Sequence, residues 1–121
     1  MAVALDREAH RQAVRTDVAT IARYLQEVLG QRLTAVIADV SDAKAVGRWA
    51  QARQTPRPEV EKRLRLAFQI TQMLMSVDSA ETARAWFMGV NPELDDASPA
   101  LMIAKEPVRV LQAARSFVAN G

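Results

Sequence analysis

QRLTAVIADVSDAKAVGRWAQARQTPR, residues 31–57, decides the fold class. Leu33, Val36, Ile37 and Val40 recur at helical spacing, and Val46, Trp49 and Ala50 share a face again after a break, so two short helices are expected over roughly 32–39 and 42–53. Asp39-Val40-Ser41 joins them, and Ser41 with Asp42 suits the N-cap and first turn of the second helix. Two helices of this length and spacing have the form of a helix-turn-helix, whose second helix enters the DNA major groove while a bulky apolar anchor pins its inner face. Trp49 fits the anchor. Ser41, Lys44, Arg48 and Gln51, with Arg53, Gln54 and Arg57 beyond them, supply the donors that base edges and phosphates require. The turn lacks the glycine often found there.

Helical patterning continues on both sides. Ile21, Tyr24, Leu25, Val28 and Leu29 form one apolar stripe, closed by Gly30. Pro56 and Pro58 mark the clearest internal boundary, with Pro58 placed to open the next helix. From Glu59 to about Val77 runs the longest helical pattern, with Val60, Leu64, Ala67, Phe68, Leu74 and Met75 on one stripe and Leu66, Ile70, Met73 and Val77 on another. Two stripes need two coverings, so this helix is expected to be a spine shared by two lobes or part of a dimer interface. Asp78 and Glu81 resemble a capping box for a short helix ending near Gly89. Asn91-Pro92 makes a turn, Ser98-Pro99 starts another short helix, and Glu106-Pro107 opens the last. The last helix should turn Val110, Ala114, Phe117 and Val118 inward and Arg109, Gln112, Ser116 and Asn120 outward.

An all-α protein of about seven helices is expected. Residues 1–19 form an N-terminal helical extension, 20–65 a helix-turn-helix lobe, and 66–121 a small helical C-terminal lobe, the two lobes sharing the long central helix.

Composition narrows the function. Half of the 121 residues are hydrophobic and a quarter charged, which is globular composition with enough chain for one core. With no cysteine and one histidine, His10, a Cys/His zinc site, a thiol nucleophile and a disulfide framework are excluded. Ser41, Ser76, Ser79, Ser98 and Ser116 have only His10 as an imidazole base, and none sits in a nucleophile elbow. Glu93, Asp95 and Asp96 lack calcium-loop spacing, and the scattered single glycines cradle no phosphate, so neither catalysis nor a cofactor is expected. His10 is read as a surface residue. No apolar run spans a bilayer and the N-terminus lacks signal-peptide character, so the expected address is the cytoplasm.

Charge is uneven: residues 1–40 are neutral, 41–65 carry +4 and 66–121 carry −2. A basic middle points to an anionic partner for that stretch.

The segment Ala85-Trp86-Phe87-Met88-Gly89-Val90-Asn91-Pro92-Glu93-Leu94, followed by Ser98-Pro99-Ala100-Leu101 and the alanine-rich Val110-Leu111-Gln112-Ala113-Ala114, resembles the C-terminal domain of the Xre/MbcA/ParS family of bacterial antitoxins. In that family the domain follows a Xre-like helix-turn-helix, and residues 20–65 stand where one belongs. The resemblance spans about residues 20–121 and leaves the N-terminal extension unaccounted for. It implies a partner: a RES-domain toxin that consumes NAD or uses it to ADP-ribosylate a target, with the antitoxin's last helix and tail blocking its NAD pocket. The corresponding surface here is Lys105, Arg109, Gln112, Arg115, Ser116, Asn120 and the Gly121 carboxylate, with Arg84, Met88 and the 91–98 turn beside it. Guanidinium and amide groups suit a pocket that accommodates pyrophosphate. On the residues alone, Trp86 and Phe87 are expected to pack in the core.

The expected function is therefore a type II antitoxin that neutralises its cognate RES-domain toxin and, as a homodimer on operator DNA, represses its own operon. The alternatives are a stand-alone dimeric helix-turn-helix transcription regulator and an adaptor that has lost DNA binding.

Overall fold

The computed structural model describes residues 2–120 and is all-α, with no strand among them. The helices are α1 (Ala2–Arg15), α2 (Val18–Leu29), α3 (Gln31–Ala38), α4 (Lys44–Ala50), α5 (Pro58–Met75), α6 (Ala80–Met88), α7 (Pro99–Met102) and α8 (Pro107–Asn120), with one 3-10 turn at Pro92–Leu94.

Local chemistry fixes most of the ends. The Asp17 side chain accepts the Thr20 amide at 2.8 Å and starts α2, and this bond from the backbone holds its carboxyl below the usual carboxylate range. Gly30, at φ +89°, is at once the C-cap of α2 and the N-cap of α3, in a conformation that side chains rarely adopt, which lets one helix follow the other with no further linker. Pro58 opens α5, Pro99 opens α7 behind Ser98, and Pro107 opens α8. The capping box expected at Asp78 and Glu81 is displaced by one residue: Ser79 is the N-cap and accepts from the Thr82 amide. Asp78 instead accepts from the Ser79 amide and the Thr82 hydroxyl.

The central helix behaves as a spine. α5 touches α1, α2, α3, α6 and α8, and one hydrophobic cluster runs from Ala9 to Val118. The expected divisions at 19/20 and 65/66 both fall inside helices, α2 and α5 respectively. Two valines assigned to apolar stripes lie outside the core. Val36 is 42 % exposed because α3 buries Leu33, Thr34, Ala35, Ile37 and Ala38, whose mean direction lies about 150° away around the helix. Thr34 is fully buried among them, its hydroxyl donating to the Gly30 carbonyl at 2.8 Å. Val77 is also 42 % exposed, since α5 has already ended at Met75.

Three arginines lock helix ends to neighbouring helices. Arg63 donates to the Ala38 carbonyl at the end of α3, Arg65 to the Ala13 and Thr16 carbonyls at the end of α1, and Arg84 of α6 to the Val28 carbonyl at the end of α2. Each cation meets carbonyls that the helix itself leaves unsatisfied, at the negative end of the helix dipole. α1 is thereby held on α5, with His10 exposed as expected. No helix is long and apolar enough to cross a membrane.

Candidate nucleic-acid interface and partner-binding surface

The α3–α4 segment is built around a tight reversal. Asp39 takes the left-handed conformation (φ 59°) that a glycine would otherwise supply, and the Val40 amide donates back to the Ala35 carbonyl at 3.0 Å. Asp42, rather than Ser41, then initiates α4: its carboxylate accepts the Lys44 amide at 3.0 Å and the Arg48 guanidinium at 3.1 Å. These bonds, the backbone one foremost, hold the Asp42 carboxyl below its ordinary range. Ala45, Val46, Trp49 and Ala50 are buried, so Trp49 lies on the inner face of α4 as its spacing suggested. Its indole N–H finds no acceptor among the described residues.

α4 is shorter than the expected 42–53. Ala52 turns left-handed (φ 58°) and the Arg53 amide closes on the Arg48 carbonyl at 2.8 Å, which ends the helix at Ala50. Gln51 and Arg53 therefore lie in the turn that follows α4, and are joined by a 3.3 Å bond. Of the candidate DNA contacts, Ser41, Lys44, Gln51, Arg53 and Arg57 are exposed. Arg48 is half-buried and held from both sides, its Nε donating to Gln54 at 2.8 Å as well as its Nη2 to Asp42.

The +4 stretch is thus less available to an anion than its sequence suggests. Arg63 and Arg65 face backbone carbonyls, and Arg65 also pairs with Glu61 at 2.9 Å. Lys44, Arg53, Arg57 and Lys62 remain exposed.

The residues expected to meet a protein partner divide among several places. Arg84 is turned to α2, as described. Arg109 reaches across to the 91–98 loop, donating to the Glu93 carbonyl at 2.9 Å and to Asp95 at 3.3 Å, and also bonds Glu106 at 3.0 Å. The carboxylates, Asp95 first, raise its pKa above the usual arginine value. Ser116 donates to the Glu93 carboxylate at 3.1 Å. The polar face of α8 therefore has a structural duty that the sequence did not suggest: it knits the loop to the last helix. Arg115 turns instead towards α1, its Nε 2.7 Å from Asp6. Lys105, Gln112 and Asn120 are exposed, and Gly121 lies outside the described residues.

The loop itself is ordered from within. The Asn91 side chain accepts the Glu93 amide, the Asn91 carbonyl accepts the Leu94 and Asp96 amides, and Leu94 is buried. Asp95 and Asp96 both adopt positive φ, so they serve the turn. No group of three His, Asp or Glu side chains is placed to hold a metal ion among the described residues.

Beside this loop lies a groove of about 390 Å³ between α6 and α8, lined by Trp86, Val90, Pro92, Ser116, Phe117 and Asn120 among others. Phe87 is fully buried, and Trp86 packs edge-to-face on it at 5.2 Å, partly buried against the core with the rest of its ring at the groove. Trp86, expected in the core, packs on the edge of the core cluster rather than inside it: the two aromatics are consecutive, and a helix turns them about 100° apart. Met88 and Val90, 60 % and 78 % exposed, continue the apolar surface at the end of α6. Compared with known proteins, the chain matches no family model, no curated protein and no solved structure.

Proposed function

We propose that this chain is the cytoplasmic antitoxin of a type II toxin–antitoxin pair. In this reading α3 and α4 form the helix-turn-helix of an N-terminal lobe that binds operator DNA as a homodimer. The C-terminal lobe, with the Trp86 groove and the exposed side chains of α8, binds a RES-domain toxin and occludes its NAD pocket. The observation that carries the reading is the tight α3–α4 turn, in which a buried Trp49 pins a short helix that exposes Lys44, with Arg48 held beside it by Asp42 and Gln54. The resemblance of residues 85–114 to the antitoxin family supports the partner assignment. The apolar Trp86, Met88 and Val90 surface gives that assignment a physical basis, since aromatic and methionine side chains favour the cores of protein interfaces.

The test is to purify the chain with the product of the neighbouring reading frame and to mix the complex with the DNA upstream of the pair. A stable complex that consumes no NAD and shifts that DNA is expected. DNA binding with no NAD-consuming partner would select the stand-alone regulator. Toxin neutralisation without DNA binding would leave the adaptor.

A further inference from the structure

A groove of about 740 Å³ runs between α1 and α8 beside the Asp6–Arg115 ion pair, with Gln69 of α5 in its lining, and it falls in the size range of small-molecule sites. Its lining holds three guanidinium groups, Arg7, Arg11 and Arg115, with the His10 imidazole, against the single carboxylate of Asp6. Leu111 is its apolar contribution from α8.

The arrangement around Asp6 is that of a positioning chain. Gln69, 6 % exposed in the middle of α5, donates to Asp6 Oδ1 at 3.2 Å, and Asp6 Oδ2 accepts from Arg115 Nε at 2.7 Å. A buried amide thus fixes a carboxylate, which fixes a guanidinium through its inner nitrogen. The two terminal nitrogens of Arg115 make no bond to the described residues and remain available to an anion in the fork geometry that suits phosphate. Arg7 and Arg11 follow one another at i, i+4 along α1, so both reach the same side of the groove. Arg11 pairs with Glu8 at 2.8 Å, while Arg7 has no ion-pair partner among the described residues.

We propose that this groove is a binding site for a phosphate monoester with an apolar or aromatic body. The phosphate sits between Arg7 and the terminal nitrogens of Arg115, with His10 and Arg11 beside it, and the body lies on Leu111. Arg11 is already paired with Glu8 and Arg115 Nε with Asp6, so the unpaired Arg7 and the two unused terminal nitrogens of Arg115 are the donors that favour a phosphate over a carboxylate ligand. The site is distinct from the α3–α4 surface and does not depend on the antitoxin reading. A simple clip between α1 and α8 would require the Asp6–Arg115 pair alone and would leave Arg7 without a role.

Phenyl phosphate titrated into the full chain, followed by amide correlation NMR spectra, tests the assignment. Saturable shifts are expected at residues 6–11, at Gln69 and at residues 111–115, with inorganic phosphate, benzoate and phenol each binding at least about tenfold more weakly. Arg7→Gln removes a donor that pairs with nothing else described, so helix content should be unchanged and affinity should fall about tenfold or more. Arg115→Lys keeps the charge and removes the fork, and should weaken binding to a similar extent; if it loosens α1, Arg7→Gln decides. Shifts centred on residues 44–57, inorganic phosphate binding as well as phenyl phosphate, or unchanged affinity in folded Arg7→Gln would each overturn the proposal.

Discussion

Arg84 reaches from α6 to the Val28 carbonyl oxygen at 2.8 Å, so the helix that lines the candidate partner groove is tied to the last turn of α2. A side chain offered by sequence for partner binding is thus a brace, as Arg63 and Arg65 are for α3 and α1. Arg84→Ala should lower stability by about 1.5–3 kcal/mol, the range for a hydrogen bond to a charged group, in chemical denaturation. Partner affinity measured on the folded fraction should change little. Unchanged stability with lost binding would return Arg84 to the interface.

The two adjacent aromatics should separate in the same assay. Phe87→Ala empties a fully buried site and should cost about 3–5 kcal/mol. Trp86→Ala removes a partly buried ring and should cost less than Phe87→Ala while weakening partner binding. Equal losses of stability would put Trp86 back in the core.

Sequence carried the helix starts because they are marked by residue chemistry: Pro58, Pro99 and Pro107 fix a backbone angle, and Gly30 supplies a positive φ. Trp49 was legible because apolar spacing reports the buried face of α4. What stayed hidden were contacts with main-chain acceptors. The carbonyls of Ala13, Val28 and Ala38 carry no sequence mark, so Arg65, Arg84 and Arg63 read as surface charge. The end of α4 was missed for a related reason: Ala52 is an ordinary helix former, and its left-handed turn follows from the closing bond of Arg53. Thr34 was passed over because its polarity conceals a hydroxyl satisfied inside its own helix. The α1–α8 groove joins residues about a hundred positions apart, beyond the reach of any local pattern.

Acid should destabilise the fold through its capping carboxylates. Asp17, Asp42 and Asp78 are each held below the usual carboxylate range, first of all by the amides of Thr20, Lys44 and Ser79 respectively. Because these groups titrate lower in the folded chain, their contribution is complete above the unfolded value near ~4 and is lost as pH falls through the folded values. The melting temperature should drop as pH falls below the unfolded carboxylate value, and Asp17→Asn with Asp78→Asn should flatten that decline. An acid limb as steep in the double variant as in the parent would assign it to other groups.

DNA binding should depend on how Arg48 is held. Asp42 and Gln54 fix its guanidinium at 3.1 and 2.8 Å, so contact with a base edge requires it to leave one of them or to use a nitrogen they do not engage. Arg48→Ala should weaken operator binding by roughly 1–3 kcal/mol at sites where it reads a guanine. Lys44→Ala should act on phosphate affinity, reducing the salt dependence by about one unit of slope across sequences. Anisotropy titrations over a range of salt measure both, and unchanged affinity in the two variants would remove α4 from the groove.

The partner surface is best tested where the fold does not depend on it. Replacing Arg109 or Ser116 would free the 91–98 loop from α8, and replacing Arg115 would release Asp6, so lost binding in those variants would confound shape with contact. Met88 and Val90 carry no such duty, being 60 % and 78 % exposed at the edge of the Trp86 groove. Met88→Asp with Val90→Asp places two carboxylates on that apolar rim, where a docked partner would have to desolvate them. Thermal stability should stay close to that of the parent, since neither side chain lies in the core. Binding of the toxin should weaken mainly through faster dissociation, because association rates within one interface vary far less than lifetimes. NAD consumption should then return in a mixture of toxin and variant, while operator binding by the variant alone persists. Full silencing of the toxin by the double variant at equimolar concentration would move the neutralising surface to the exposed Lys105 and Gln112, outside the Trp86 groove.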